Sequence, residues 1–581
     1  MNIIKILYKY FKGYKLGLFL GPTLKLSEAV LELFIPIFMA NIIDYGIPNN
    51  DINYIFQMAG LMLLFGVVGL IFALICQYYA AQVAYGFGNQ LRNDLFSHIL
   101  HLDNEKVYNL GANSLITRMV SDVQLVQNGV NLSIRLLVRA PYIMIGCIIM
   151  AFIINAKIAI IFLIATVLTC MSLYFIMYKT IPRYKKIQNS QDIITRKVND
   201  NLMGVRVIRS FCKQKDEVLS FTKESESLSN LSINTGKISA LLNPLTFAIS
   251  NISIVGIVYF GAKFVENGEL LNGDIIALVS YMTQTMVVLV VLAKLILALN
   301  KSIASAYRIV EVLNIKPNIT QGKIEKAKKD YPNSIEFKNV NFSYNKESGT
   351  VLNNINFTVK KGESLGIIGG TGSGKSTIVN LLTRNYDVNS GEILIDGENV
   401  KNYAFKALKN KLGVVMQNSN LLKGSVLDNM HFAKEDASEK EIENALEIAM
   451  AKDFIMAKKD KLFTHISEGV KNLSGGQKQR LTIARAIVKN PEILILDDSF
   501  SALDYKTDAN LRKALKEKCV DMCTVIISQR ALTIKNCDNI IVLNDGDLVE
   551  QGTHEELLQN KAIYYEICVS QKLVEEAEIN V

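Results

Sequence analysis

The cysteines of this chain lack metal-ligand spacing. All eight (Cys76, Cys147, Cys170, Cys212, Cys519, Cys523, Cys537 and Cys568) are scattered, most of them inside apolar runs. They read as buried thiols of a reducing cell rather than a disulfide framework or a zinc site. Cys519 and Cys523 stand four apart, but Cys523 opens an apolar strand-like run and no second pair follows, which argues against a metal or redox role. A leader is missing too: Lys5, Lys9, Lys12 and Lys15 spread along an amphipathic stretch, with no short basic region, apolar core and cleavage site, so no removable signal peptide is expected. The net charge of +9 is not that of a nucleic-acid binder, because the excess lies largely in segments flanking apolar runs. A membrane surface is the better partner.

What is abundant is hydrophobicity. Half of the 581 residues are hydrophobic and the mean hydropathy is +0.23, high for a soluble protein, in a chain too long for one compact domain. Six apolar stretches reach the roughly 20 residues that a bilayer crossing needs; they lie near 17–43, 53–82, 130–154, 157–178, 240–265 and 275–299. Their connections alternate. Residues 44–53 hold acids without Lys or Arg, 155–157 is a very short turn, and 263–274 carries Glu266, Glu269 and Asp274 against one lysine. These three are expected outside. The connections 83–129 and 179–239 are long, helical in pattern and rich in Arg and Lys, including Arg92, Arg118, Arg183, Arg206 and Arg209. They and both termini are expected to face the cytoplasm of a multi-pass cell-membrane protein.

Charges inside a span face the bundle interior or a watery cavity and seek partners. Lys25, Glu28 and Glu32 share one helical face of the first span, and Arg135 and Arg139 share one of the third. Glu28 or Glu32 is expected to pair with Arg135 or Arg139, as a helix clamp or a substrate contact. Lys294 is a further candidate, though it can snorkel.

After Leu313 the pattern turns polar, with Pro317, Lys323, Lys326, Lys328, Lys329 and Pro332 and no apolar period: a linker over 314–333. From Ser334 short apolar strands alternate with helices to the C-terminus, the pattern of an α/β domain over 334–581 that follows an all-α membrane domain over 1–313.

The sharpest motif is Gly369-Gly370-Thr371-Gly372-Ser373-Gly374-Lys375-Ser376-Thr377, between a strand at 364–369 and a helix at 375–382. Such a loop brings backbone N–H groups close to phosphates, adds the charge of Lys375 and offers the Ser376 hydroxyl to Mg²⁺. Asp497 ends the apolar strand 493–497, where a carboxylate can hold Mg²⁺ through water beside Ser376. Leu473-Ser474-Gly475-Gly476-Gln477 opens a helix with Ser474 as N-cap.

In this order the motifs make the chain resemble the ATP-binding cassette (ABC) proteins, and with six spans before them, the exporter-type half-transporters. That resemblance implies ATP with Mg²⁺, adenine stacking by Tyr344, Mg²⁺ and water contacts from Gln417, and a Ser474–Gln477 segment that faces the phosphate held by another subunit. A chain with one cassette must then dimerise. It implies that Asp504, in Ser501-Ala502-Leu503-Asp504, belongs to the loop by which one site senses the other. It also implies coupling segments near Gly111–Thr117 and Asn201–Phe211. Nothing like a peptidase precedes the first span, which argues against a peptide-processing exporter.

Two departures stand out. Where hydrolytic members of the family place a glutamate base after Asp497, this chain has Asp498, its carboxylate retracted by about 1.5 Å. Where they have a switch histidine, it has Gln529, which can donate a hydrogen bond but carry no proton. The five histidines (His98, His101, His431, His465 and His554) lie elsewhere. The combination resembles the degenerate-site subunit of heterodimeric multidrug exporters. It implies ATP-driven export of a small amphipathic molecule, a drug, lipid or peptide, with slow turnover at the chain's own site. A homodimer using Asp498 as a weak base, and a nucleotide-gated channel or regulatory subunit, are the alternatives.

Overall fold

The computed structural model describes residues 3–325, 331–344, 349–418 and 420–574. Lys326, Lys328 and Lys329 of the expected linker lie outside the described residues. The chain divides into two units. One holds the residues up to Leu102 together with Asn109–Lys316, the other Asp103–Tyr108 together with the chain from Pro317 onward.

Among the described residues, the first unit contains six helices long and apolar enough to cross a membrane: Ile6–Gly46, Ile52–Leu100, Ala112–Ile154, Ala156–Met203, Gln214–Glu266 and Asn272–Asn314. Each expected span lies inside one of them. The helices outrun the spans because the polar connections are themselves helical. The 49 residues of Ile52–Leu100 reach about 74 Å at 1.5 Å per residue, more than twice a hydrocarbon core. Large apolar side chains such as Phe56, Leu63, Ile252 and Val255 point away from the protein, as lipid-facing residues do. Inside, small residues permit close crossings: a Cβ on Gly17 would meet Val83, one on Gly146 would meet Leu33, and one on Gly129 would meet Ser302. The buried Tyr281 hydroxyl is satisfied by donating to the Leu33 carbonyl oxygen at 2.5 Å.

The intramembrane charges pair across helices. Arg139 donates to Glu32 at 2.7 Å and lies 4.0 Å from Glu28, which also takes Lys25 at 2.5 Å. Arg135 pairs with neither acid; its one hydrogen bond among the described residues is to Asn131 Oδ1 at 3.5 Å. The cysteines depart from expectation at two positions. Cys170 and Cys212 are exposed, the first on an outer face of the fourth long helix and the second in the turn after Val205–Ser210, with a φ of 53°.

In the second unit a ten-stranded sheet is built around five parallel strands in the order Asn539–Asn544, Ser364–Gly369, Cys523–Ile527, Ile493–Asp497, Leu412–Val415. Alternate residues enter different cores. Leu494, Leu496 and Ile526 pack into one cluster, and Ile493, Ile495, Val525 and Ile527 into the other. Both faces are therefore covered, and the strands read as unbroken apolar runs. The register aligns Ile527 with Asp497 and with Ile367, and Val415 with Leu496. The carboxyl ends of these strands are thus level, the edge where α/β sheets bind ligands.

This unit also claims the short helix Asn104–Leu110 through Tyr108. Asp103, buried, accepts N–H bonds from Asn318 and from Ile319, the latter at 3.3 Å. The segment grouped with the second unit lies just before Gly111–Thr117 in the chain.

Beyond the apolar spans, the third and sixth long helices are joined by Asp122, 2% exposed, which accepts from Arg308 Nε at 2.8 Å and also from Nη2. Arg308→Ala strands a buried carboxylate, whereas Asp122→Asn leaves a half-exposed guanidinium that water can solvate. Thermal unfolding in detergent is expected to show the greater loss for Arg308→Ala, by about 2 kcal/mol. Equal losses would show that the buried carboxylate is not what the arginine serves.

Candidate functional site

The level strand ends gather a cavity of 340 Å³, lined by residues that include Thr371, Gly372, Gly374, Lys375, Ser376, Thr377, Gln417, Asp497, Asp498 and Gln529. They lie at or after the carboxyl ends of the strands Ser364–Gly369, Leu412–Val415, Ile493–Asp497 and Cys523–Ile527. The glycine loop leaves the strand Ser364–Gly369 and enters the helix Lys375–Leu382 through Gly374, whose φ of 99° suits glycine alone. No side chain caps that helix, and the N–H groups of Lys375 and Ser376 have no protein acceptor among the described hydrogen bonds. Lys375, 9% exposed, turns its ammonium onto the loop, donating to the Gly369 and Gly370 carbonyl oxygens at 2.9 and 2.5 Å. Burial pushes its pKa down, against the opposing charges of Asp497 and Asp498. Unused N–H groups around a buried cation fit a polyphosphate.

Asp497 is buried, and that burial, then the charge of Asp498, pushes its carboxyl up; the Ser376 hydroxyl, hydrogen-bonded to it, and Lys375 oppose the shift. A divalent cation would reverse the direction, and the Ser376 hydroxyl, the Asp497 carboxylate and the Gln417 amide are among the oxygen donors lining the cavity that would hold Mg²⁺. Asp498 has a φ of 47°. Its N–H donates to the Ile527 carbonyl at 3.0 Å, extending the ladder one residue past the strand end. Gln529, exposed, lines the same cavity.

Other sequence candidates stand apart. Tyr344 does not line the cavity. Its ring packs edge-on against Phe342 and Tyr386, and its hydroxyl lies 3.2 Å from Thr377 Oγ1. Gly369, Gly370 and Ser373 form the loop behind the lining residues. Ser474 caps the helix Gly475–Ile487 in a reciprocal box with Gln477, at 3.3 and 3.1 Å, and Gly475 and Gly476 lie against Ala502. Asp504 caps the helix Tyr505–Lys518, and the Thr507 N–H holds its carboxyl below the usual range. None of Ser474, Gly475, Gly476, Gln477 or Asp504 lines the cavity of its own chain.

The ABC transporter transmembrane region matches residues 18–289 and the ABC transporter cassette residues 352–501. An uncharacterised ABC transporter ATP-binding protein of Mycobacterium tuberculosis is 32% identical over 577 residues, 98% of either chain. This chain belongs to the ABC transporters. An ATP-dependent lipid A-core flippase of Desulfotalea psychrophila is 30% identical over 97% of this chain and 98% of its own. A bacterial Atm1-family ABC exporter with ATP bound shares the fold, with a TM-score of 0.80 and 23% identity over 97% of this chain and 99% of the other. The chain is thus an ATP-hydrolysing, exporter-type ABC transporter: a six-helix membrane domain fused to an α/β cassette. Such transporters work as dimers in a lipid bilayer.

Three residues of the cassette were not singled out from the sequence. Gln479, 4% exposed, donates to the Asp498 carbonyl at 3.3 Å; its place two residues after Gln477 was the available signal. Arg530 donates to the Ser501 carbonyl at 3.3 Å. Gln571, 42 residues from Gln529, donates to the Gln529 carbonyl at 2.7 Å and accepts from the Ala531 N–H at 2.8 Å, a contact no local pattern announces. Gln571→Ala frees the Ala531 amide, and hydrogen exchange there is expected to quicken by between about twofold and tenfold. Unchanged exchange would mean that the switch segment is held by its own backbone.

Proposed function

We propose that this chain is the degenerate-site half of a heterodimeric ABC exporter that drives a small amphipathic molecule across the cytoplasmic membrane, with its cassette and both termini on the cytoplasmic side. The observation that carries the reading is the cavity itself: Asp498 and Gln529 occupy it where the family has glutamate and histidine, and no residue of Ser474–Gln477 reaches it. Its missing wall has to come from another cassette, and its own Ser474–Gln477 is free to serve that partner's nucleotide.

In this reading the Lys375 ammonium leaves the Gly369 and Gly370 carbonyls for the phosphates, and the N–H groups of Lys375 and Ser376 take the same anion. Tyr344 supports the adenine side. Mg²⁺, held by Ser376, Asp497 and Gln417, would neutralise phosphate charge. Asp498 is set back from the attacking water, and Gln529 offers a hydrogen bond without a positive charge. Losing a positioned base costs about 10² to 10⁴ in rate. Closure of the two cassettes then turns the membrane helices from inward- to outward-facing.

Two surfaces support the transmission. Asp103–Tyr108 groups with the cassette of its own chain. Near the helix Val205–Ser210, Leu202, Met203, Val207 and Phe211 are exposed in an otherwise polar connection, an apolar patch suited to a partner cassette.

The deciding measurement is ATP turnover by this chain alone and co-purified with a homologous half-transporter that carries the glutamate and histidine. Little turnover alone and substantial turnover together, abolished by changing the partner's glutamate, is the expected result. Asp498→Glu with Gln529→His is expected to raise turnover of the chain alone by about 10²-fold. Brisk turnover by the unmodified chain alone would favour the homodimer. ATP-gated flux that only dissipates a gradient would favour a channel.

A further inference from the structure

The charged side chains well inside the expected spans are Lys25, Glu28, Glu32, Arg135, Arg139 and Lys294. Four of them are accounted for by the pairs of Arg139 with Glu32 and of Lys25 with Glu28. Arg135, half-buried, is left with only an amide oxygen at 3.5 Å. A guanidinium in a span without a carboxylate is costly and marks function. Arg135 lines a cavity of 290 Å³ with Gln77, Tyr85, Asn128 and Asn131, and no acid is among the lining residues. Amides and a phenol add neutral donors around a cation. With a fixed positive charge and no carboxylate to offset it, such a set favours an anion over a cation.

The helix face that brings Gln77, Ala81 and Tyr85 to the cavity turns apolar toward the middle of the span. Leu70, Leu74, Gln77, Ala81 and Tyr85 succeed one another at three- and four-residue steps, so they share one face of the helix Ile52–Leu100. Leu70 and Leu74 are more than half exposed on it. The polar end of this face lies at the cavity and the apolar end runs deeper into the span. At 290 Å³ the cavity is at the small limit of drug-sized pockets, about 300 Å³, so it suits a head group and not a whole amphiphile.

We propose that Arg135 and the polar side chains around it hold the anionic head of the transported molecule, a phosphate or carboxylate, while its apolar tail lies along Leu74 and Leu70. This deepens the export reading and rests on it: the substrate class narrows from small amphipathic molecules to amphipathic anions. The guanidinium takes the head bidentately, in place of its weak contact with Asn131.

The test places the full-length chain in phosphatidylcholine nanodiscs and counts bound oleoyl-lysophosphatidic acid against oleoyl-lysophosphatidylcholine by native mass spectrometry. A preference of roughly tenfold for the first is expected, kept in Lys294→Gln and lost in Arg135→Gln. Asn131→Asp gives Arg135 a carboxylate one helical turn away, so the fold keeps a paired charge while the preference still disappears. No preference in the unmodified chain, or a preference that survives both Arg135→Gln and Asn131→Asp, would overturn the proposal. A second arm follows ATP-driven movement of the same two probes in proteoliposomes containing the assembled dimer. Selective movement of the lysophosphatidic acid supports the assignment. Selective binding without movement overturns it and identifies a resident-lipid site. Equal movement of both probes overturns it while leaving the export reading intact.

Discussion

Everything in the cassette depends on a cation kept where only an anion can make it comfortable. Lys375 is buried, its charge is opposed by burial, and its ammonium is satisfied by carbonyl oxygens of the very loop that a phosphate would occupy. The helix Lys375–Leu382 begins there without a cap. A positive side chain and the positive end of a helix are thereby brought together, an arrangement that favours negative charge and is strengthened by exclusion of water. The sheet supports this because Ile367, Ile527 and Asp497 are in register: the same level edge that presents the loop also presents Asp497, Asp498 and Gln529. A slip of one residue in the strand Ile493–Asp497 would carry Asp497 to the opposite face of the sheet.

The membrane unit obeys the complementary rule, that charge in a low dielectric needs a partner. Arg139 bridges two acids of the first span, and one helix contact thereby satisfies three groups. Asp122 and Arg308 repeat the device farther along the helices. Arg135, one turn before Arg139, shows how local the rule is: the same residue type on the same face lacks a carboxylate because the acids of the first span end within reach of its neighbour.

Much of this was legible in the sequence because it is local. The strand Ser364–Gly369 and helix Lys375–Leu382 were readable to the residue, since a glycine-rich turn between an apolar run and an amphipathic one leaves little choice. The six spans were readable from composition, their true lengths less so, because polar helical extensions carry no apolar signal. Contacts between distant segments were opaque. Gln571 on Gln529, Gln479 on the Asp498 carbonyl and Asp103 on Ile319 join residues with no shared period. The exposed Cys170 and Cys212 were misread for a related reason: in a lipid-facing helix or a tight turn, an apolar neighbourhood in sequence does not imply burial in protein.

The backbone at Asp498 connects the local chemistry to the family departure. Its φ of 47° lies in the left-handed region, which costs an ordinary L-residue about 1–2 kcal/mol and which Asp and Asn tolerate best after glycine. The conformation is held at both ends, by the N–H bond to Ile527 and by the carbonyl that takes Gln479 and the Ser501 hydroxyl. A short carboxylate therefore suits this turn as it stands. A glutamate there would extend the acid by one methylene and give up the side chain that best tolerates the turn. The position of this acid is in this sense a property of the loop as well as of the side chain, and Gln479 and Ser501 share with Asp498 in holding the backbone that carries it.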